Sequence, residues 1–294
     1  MSPSCCHLVA AVRGGYRQGM PILDGLGGSR LSYRQQRPEG ASASQSPDAP
    51  ALLFIHGAGC GSLHFAELVR ILGRERRVVA LDLPGHGGSA AFADEPDDAE
   101  LLDRYVEVIA DFGERIGLGR FLFAGHSMGG ALGLLYALRY ADRLAGLALL
   151  ATSAVLRVSR ALMTMFDEHF DTLPLMFAQS SYSPASDPTD VTRWAKEQLQ
   201  CDKDTLLADF RACDRFDVRE RLSEIETPAI VVSARDDLLT PPKFQERLVE
   251  GLVRARLVAV PRAGHFVFRE RPEVIVEAIL SLERDPPRGG VTHR

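Results

Sequence analysis

The chain has 294 residues, of which 46% are apolar and 25% charged, and a formal net charge of −5. That balance describes a globular protein with a sizeable core. The negative charge argues against a general nucleic-acid or anionic-membrane partner, and no apolar run approaches the ~20 residues needed to span a bilayer. Five cysteines, at positions 5, 6, 60, 201 and 213, form no C-x-x-C pair and no disulfide framework, which points to a reducing, cytoplasmic compartment.

Residues 1–20 lack the apolar core and leading basic cluster of a signal peptide and read as an N-terminal extension, disordered by composition. Met20 is an alternative start, because the folded pattern begins near Ile22. A first strand is predicted from Ser29 to Gln35, then a low-complexity surface loop over residues 37–50. Residues 52–55 are continuously apolar, as in a strand buried on both faces of a parallel sheet. This strand runs into His56-Gly57-Ala58-Gly59-Cys60-Gly61, whose glycines leave backbone N–H groups uncovered and suited to an anion. Taken alone, the loop is equally a plain strand-to-helix turn. A helix over 65–72 and a strand over 78–81 lead to the Pro- and Gly-punctuated loop from Asp82 to Ser89. Residues 99–116 form an amphipathic helix with Leu102, Val106, Ile109 and Phe112 facing inward.

An apolar run then enters Gly125-His126-Ser127-Met128-Gly129, and Ala131, Leu134, Leu135 and Leu138 follow at helical spacing. Strand, Gly-x-Ser-x-Gly and helix in succession define a nucleophile elbow. Ser127 sits on a tight turn, and Gly125 and Gly129 let strand and helix approach. The following helix directs free N–H groups and its positive end at charge forming there.

After the strand over 144–150 the strand pattern stops. Residues 154–225 show only helical stretches, at 155–169, 171–179, 189–200 and 203–212, and read as a helical insertion. The strand pattern resumes at 228–233 and ends in Asp236-Asp237. A helix from Pro241-Pro242, a strand over 256–260, the Gly264-His265 turn and a helix over 272–282 follow, with a loose tail beyond. Apolar strands alternating with helices make an α/β protein with a parallel sheet.

Ser127, an acid at 236 or 237, and His265 each follow the C-terminal end of a predicted strand, and parallel strands bring those ends to one edge. A serine hydroxyl needs a base, histidine can act as one near neutral pH, and an acidic residue holds the imidazole in the productive tautomer. Chain position does not separate Asp236 from Asp237. His126 should point away from the site. No His, Cys, Asp and Glu group has metal-ligand spacing. Cys60 lacks a partner that would make a thiolate, so it reads as packing.

In the order of these residues, and in the set His56-Gly57, Asp82-Leu83-Pro84-Gly85-His86-Gly87, the elbow, Asp236 to Pro241 and Gly264-His265, the chain resembles the α/β-hydrolase family with a helical cap. The resemblance spans residues 22–282. It implies a mostly parallel central sheet with helices on both faces, a core of residues 21–151 and 227–284, a cap over 152–226 and a loose tail over 285–294. It implies backbone N–H groups of Ala58 and Met128 as the oxyanion hole, and Asp237, four residues before Pro241, as the acid. It implies a cofactor-free serine hydrolase that cleaves a small carboxylic ester or related acyl compound, lactones included. Gly57, Cys60 and Phe266, with Phe166, Phe170 and Phe177 of the cap, are the candidate substrate contacts. Hydrolases of ring-fission diketones look similar but carry Trp after the catalytic histidine, where this chain has Phe266. A non-catalytic ligand-binding member is the third reading, and such members usually lose a triad residue.

Overall fold

The apolar runs become the strands of one nine-stranded sheet in the computed structural model, which describes residues 20–25, 30–38, 49–94, 96–288 and 292–293. The strands are β1 (Ile22–Asp24), β2 (Arg30–Gln36), β3 (Leu52–Ile55), β4 (Val78–Leu81), β5 (Phe121–His126), β6 (Leu144–Leu150), β7 (Ala229–Ala234), β8 (Ala255–Val260) and β9 (Thr292–His293). Their order across the sheet is β1-β2-β4-β3-β5-β6-β7-β8-β9. The β1–β2 and β2–β4 pairings are antiparallel and all other pairings are parallel. The pattern predicts no strand at β1, which is too short to display alternation, and the tail expected to be loose contributes β9. The expected N-terminal extension before Met20 and most of the 37–50 loop lie outside the described residues.

Alternate residues of a strand face opposite sides, and that splits the core into two layers. Leu53, Ile55, Phe123, Leu149 and Val231 face one side. There they meet α2 (Leu101–Arg115), α3 (Met128–Tyr140) and, over β7 and β8, α8 (Pro242–Gly251). Leu52, Phe54, Leu122, Leu150 and Val232 face the other side, against α1 (Ala66–Leu72) and α10 (Pro272–Arg284). Leu102, Val106, Ile109 and Phe112 are all buried, as the amphipathic pattern of α2 predicts. On α3 the buried face is rotated from the predicted stripe: Leu132 and Tyr136 are fully covered, while Leu135 and Leu138 are only partly so. A helix wedged beside the central strands is apolar nearly all round, so periodicity does not mark its inner face.

Between β6 and β7 the chain forms α4 (Arg160–Glu168), α5 (Leu173–Ser181), α6 (Pro188–Glu197) and α7 (Lys203–Arg215). The helix predicted from residue 155 starts only at Arg160. Val155 bridges Asp217, and the Val158 N–H donates to Asp214 Oδ1 at 2.9 Å. β-branched residues favour this extended course, and the Ser159 hydroxyl then accepts the Leu162 N–H at 3.2 Å to begin the helix. The short α9 (Val267–Glu270) precedes α10.

Candidate active site

The parallel register ends β3, β5, β6, β7 and β8 at one edge, pairing Ile55 with Gly125, His126 with Leu150 and Ala234 with Val260. Ser127 is the residue after β5, at φ 52° and ψ −117°, a strained backbone for a residue with a side chain. The turn is tight enough that a Cβ on Gly125 would lie 2.1 Å from Gly129 O, and one on Gly129 2.2 Å from Ile55 O. Surrounding structure enforces the strain. The Ser127 N–H donates to Leu150 O at 3.0 Å, and its carbonyl accepts the Thr152 hydroxyl at 2.8 Å.

His265 follows β8 in the turn before α9, and its Nδ1 lies 2.9 Å from Asp237 Oδ2. Asp237 is buried, and its Oδ1 accepts the N–H groups of Leu239 and Thr240 at 2.8 and 2.9 Å. The Thr240 hydroxyl lies 2.7 Å from Asp237 Oδ2, and the fully buried Gln245 donates to Thr240 O and Oγ1 at 2.6 and 3.1 Å. Asp236 turns the other way and accepts the Ser183 hydroxyl at 2.5 Å. The His265 turn is fastened to the start of the α5–α6 connection. The His265 N–H donates to Ser181 O at 2.7 Å. Glu270 accepts the N–H groups of Gly264 (2.7 Å) and Ser183 (2.8 Å) and the Ser186 hydroxyl (2.6 Å).

Ser127 and His265 open on one mostly apolar pocket, with Gly57, Ala58 and Cys60 on its wall. Phe177 and Phe266 line it too, whereas Phe166 and Phe170 do not. Phe166 sits one layer back, its ring 5.6 Å from Phe177 and 4.3 Å from Phe210. Phe210, Leu239 and Phe244 line the pocket without having been singled out by sequence; only the apolar inner face of α7 hints at Phe210. The N–H groups of Ala58 and Met128 have no protein acceptor among the described residues, as helix geometry requires for Met128 at the first position of α3. Burial pushes the Cys60 thiol far above its ordinary range, so it stays protonated. Among the described residues no group of three or more His, Cys, Asp or Glu side chains could hold a metal ion, and no helix is long and apolar enough to cross a membrane.

The other buried histidines hydrogen-bond loop groups. His56 Nδ1–H donates to Gly57 O at 2.9 Å and Nε2 accepts the Leu83 N–H at 3.0 Å, tying two loops together. His126 Nε2–H donates to His265 O at 3.0 Å, and the residue also borders the pocket. Burial first, then neighbouring positive or titrating groups, holds His56, His64 and His126 neutral, well below the usual histidine range. An unfolded histidine titrates near ~6.5, so the unfolded chain binds more protons below that pH. The stability from these rings is present above ~6.5 and is lost as pH falls toward the depressed folded values, by up to about 1.4 kcal/mol per pH unit each. His86 is shifted upward, so its contribution is fully present below ~6.5 and is lost as pH rises from there through its folded value. From pH 7 to 5 the three depressed rings dominate, and the melting temperature is therefore expected to drop by about 10 °C. A flat scanning-calorimetry series from pH 7 to 5 would contradict this.

Residues 52–278 match the alpha/beta hydrolase family, and the chain belongs to that family as a hydrolase. It is 29% identical over 253 residues, 80% of this chain and 96% of the relative, to the pimeloyl-[acyl-carrier protein] methyl ester esterase of Nitrosomonas europaea. Among solved structures it is similar to the enol-lactonase of Burkholderia xenovorans, with a TM-score of 0.79 at 23% identity, over 90% of this chain and 100% of that one. A hydrolase of Pseudomonas aeruginosa superposes with a TM-score of 0.76 at 24% identity, over 91% and 99% of the two chains. Both superpositions bear on the fold alone.

Proposed function

We propose that the protein is a cofactor-free serine hydrolase of carboxylic esters or related acyl compounds, lactones included. Ser127 is its nucleophile, His265 its base and Asp237 the acid that orients His265. The observation that carries this reading is the 2.9 Å contact between His265 Nδ1 and Asp237 Oδ2, on a pocket that His265 shares with Ser127 on its strained turn. Ser127 Oγ attacks the acyl carbon while its proton passes to His265 Nε2. The carbonyl electron pair moves onto oxygen, where the Ala58 and Met128 N–H groups receive the negative charge, each worth ~10²–10³ in rate. Collapse expels the alcohol with the proton from His265. Water, deprotonated by the same imidazole, then cleaves the acyl-enzyme and restores Ser127. The relative's own name, a methyl ester esterase, supports an ester as substrate. The buried free thiols of Cys60, Cys201 and Cys213 support a reducing, cytoplasmic setting. The test is hydrolysis of p-nitrophenyl esters of graded acyl length, alongside lactones and a ring-fission diketone. Cleavage of the diketone alone would overturn the ester reading.

In this reading residues 21–151 and 227–284 are the catalytic core, and residues 152–226 form a cap that selects the acyl group. Phe177→Ala and Phe210→Ala are then expected to shift preference between short and long acyl chains by ~1–3 kcal/mol. Phe166→Ala, one layer back, is expected to lower stability by about 3–5 kcal/mol and scale all esters alike. Rates across the ester series together with thermal melts distinguish the two effects.

A further inference from the structure

Asp209 stands on α7 and has no part in the mechanism above, yet its carboxylate is completely buried and reaches the glycine loop beside Ser127. Its Oδ2 accepts the Gly59 N–H at 3.2 Å and the His86 Nε2–H at 3.0 Å, and its Oδ1 accepts the Tyr105 hydroxyl at 3.0 Å. His86 Nδ1–H donates to Pro84 O at 3.0 Å. Both ring nitrogens thus face acceptors, which makes His86 an imidazolium paired with the Asp209 carboxylate. Burial works against that charge, but Asp209 beside it carries the His86 pKa well above the usual range. A buried charge is tolerated only when paired and hydrogen-bonded, and here each partner has its bonds.

Gly59 is the residue directly after Ala58, and residues 199–209 grip it on several sides. Its N–H is held by Asp209, and its carbonyl accepts the Gln200 N–H at 2.9 Å. It adopts φ +68°, and a Cβ there would lie 2.5 Å from Leu206 Cδ1. On the other side of the loop, His56 binds Gly57 O and the Leu83 N–H, so the loop that carries His86 shares the same support. The Ala58–Gly59 peptide is therefore placed by the helical segment as well as by the sheet.

We infer that Asp209 is a positioning residue: by fixing the Gly59 peptide it aims the Ala58 N–H at the oxygen that becomes negative when Ser127 attacks. The inference rests on the function proposed above. Oxyanion donors act when they sit 2.7–3.1 Å from the transition-state oxygen, about which the ground-state carbonyl is indifferent. A drifting Ala58 amide therefore lowers kcat and leaves KM in place.

The test compares wild type, Asp209→Ala and Leu222→Ala on the best p-nitrophenyl ester, with folded enzyme counted by fluorophosphonate titration of Ser127. Leu222 is buried against Gly251, and its truncation supplies a destabilised control. For Asp209→Ala the expected result is a fall in kcat per titrated site of about 10–100-fold with KM within about threefold. Affinity for a trifluoromethyl ketone with the same acyl group, which places an oxyanion in the hole, should fall by the same factor as kcat/KM. Leu222→Ala should keep kcat per site. If Asp209→Ala is not recovered folded, Asp209→Asn gives the same readout. It retains the shape and one acceptor oxygen but loses the charge, and kcat should fall about threefold or more at constant KM. Unchanged kcat per site, a rise in KM alone, or an equal loss in Leu222→Ala would each overturn the inference. Failure of the underlying reading looks different: wild type then cleaves none of the esters and Ser127 takes no label, which removes both.

Discussion

Ser127→Ala is expected to fold like the wild type and to lose about 10⁵–10⁶-fold in kcat. The loss of a single oxygen is so costly because the covalent route ends: His265 has no hydroxyl to deprotonate, and only water remains to attack a bound acyl group. What survives is the contribution of the Ala58 and Met128 N–H groups and of binding, about 10³–10⁴ over the uncatalysed reaction. The turn itself should tolerate the change. The Ser127 backbone bonds to Leu150 and Thr152 do not involve its hydroxyl. Ester turnover together with intact-mass analysis after fluorophosphonate treatment checks this. Wild type takes one label and the variant none, and retention of a tenth of the activity would sink the covalent mechanism.

Asp237→Asn is expected to cost about 10³–10⁴-fold in kcat with little change in fold, whereas Asp236→Asn should cost less than about tenfold. The structure supplies the reason in the orientation of the amide. Asp237 Oδ1 accepts two backbone N–H groups, from Leu239 and Thr240. In the variant the amide oxygen must stay there, since the NH2 group would oppose both donors. That forces the NH2 onto the Oδ2 position, against His265 Nδ1. The imidazole then accepts at Nδ1 and carries its proton on Nε2, the wrong tautomer for a base facing Ser127. Asp236 bonds the Ser183 hydroxyl instead, so its loss touches His265 only through a neighbouring strap. Kinetics and melting temperatures of the two variants decide the matter, and the reverse ranking would move the acid role to Asp236.

The elements nearest the chemistry are the most legible in sequence because their signals are local. Leu52 to Ile55 and Phe121 to Ala124 are apolar at every position, which only a strand covered on both faces explains. The elbow is likewise a contiguous pattern. The choice between Asp236 and Asp237 is not local: it depends on which carboxylate the turn before α8 directs toward β8, and adjacent residues look alike until that turn is seen. Asp209 and Glu270 were invisible for the same reason. Their donors, Gly59 and Ser183, lie 150 and 87 residues away in the chain, and no periodicity connects them. Phe166, Phe170, Phe177 and Phe210 of the helical segment also divide only in three dimensions. A ring on the pocket and a ring behind it have the same composition and the same spacing.

The fastening of His265 to Ser181, with Glu270 between Gly264 and Ser183, bears on how such enzymes can be recombined. Residues 152–226 look like an interchangeable part, entering and leaving the sheet at two strand ends. They are not separable at this seam, because the turn bearing His265 takes its shape from their backbone. A hybrid built by exchanging that stretch alone would mate a foreign strap to a native Glu270. The natural unit of exchange is the stretch together with residues 262–270, two separate pieces of the gene that behave as one component in space.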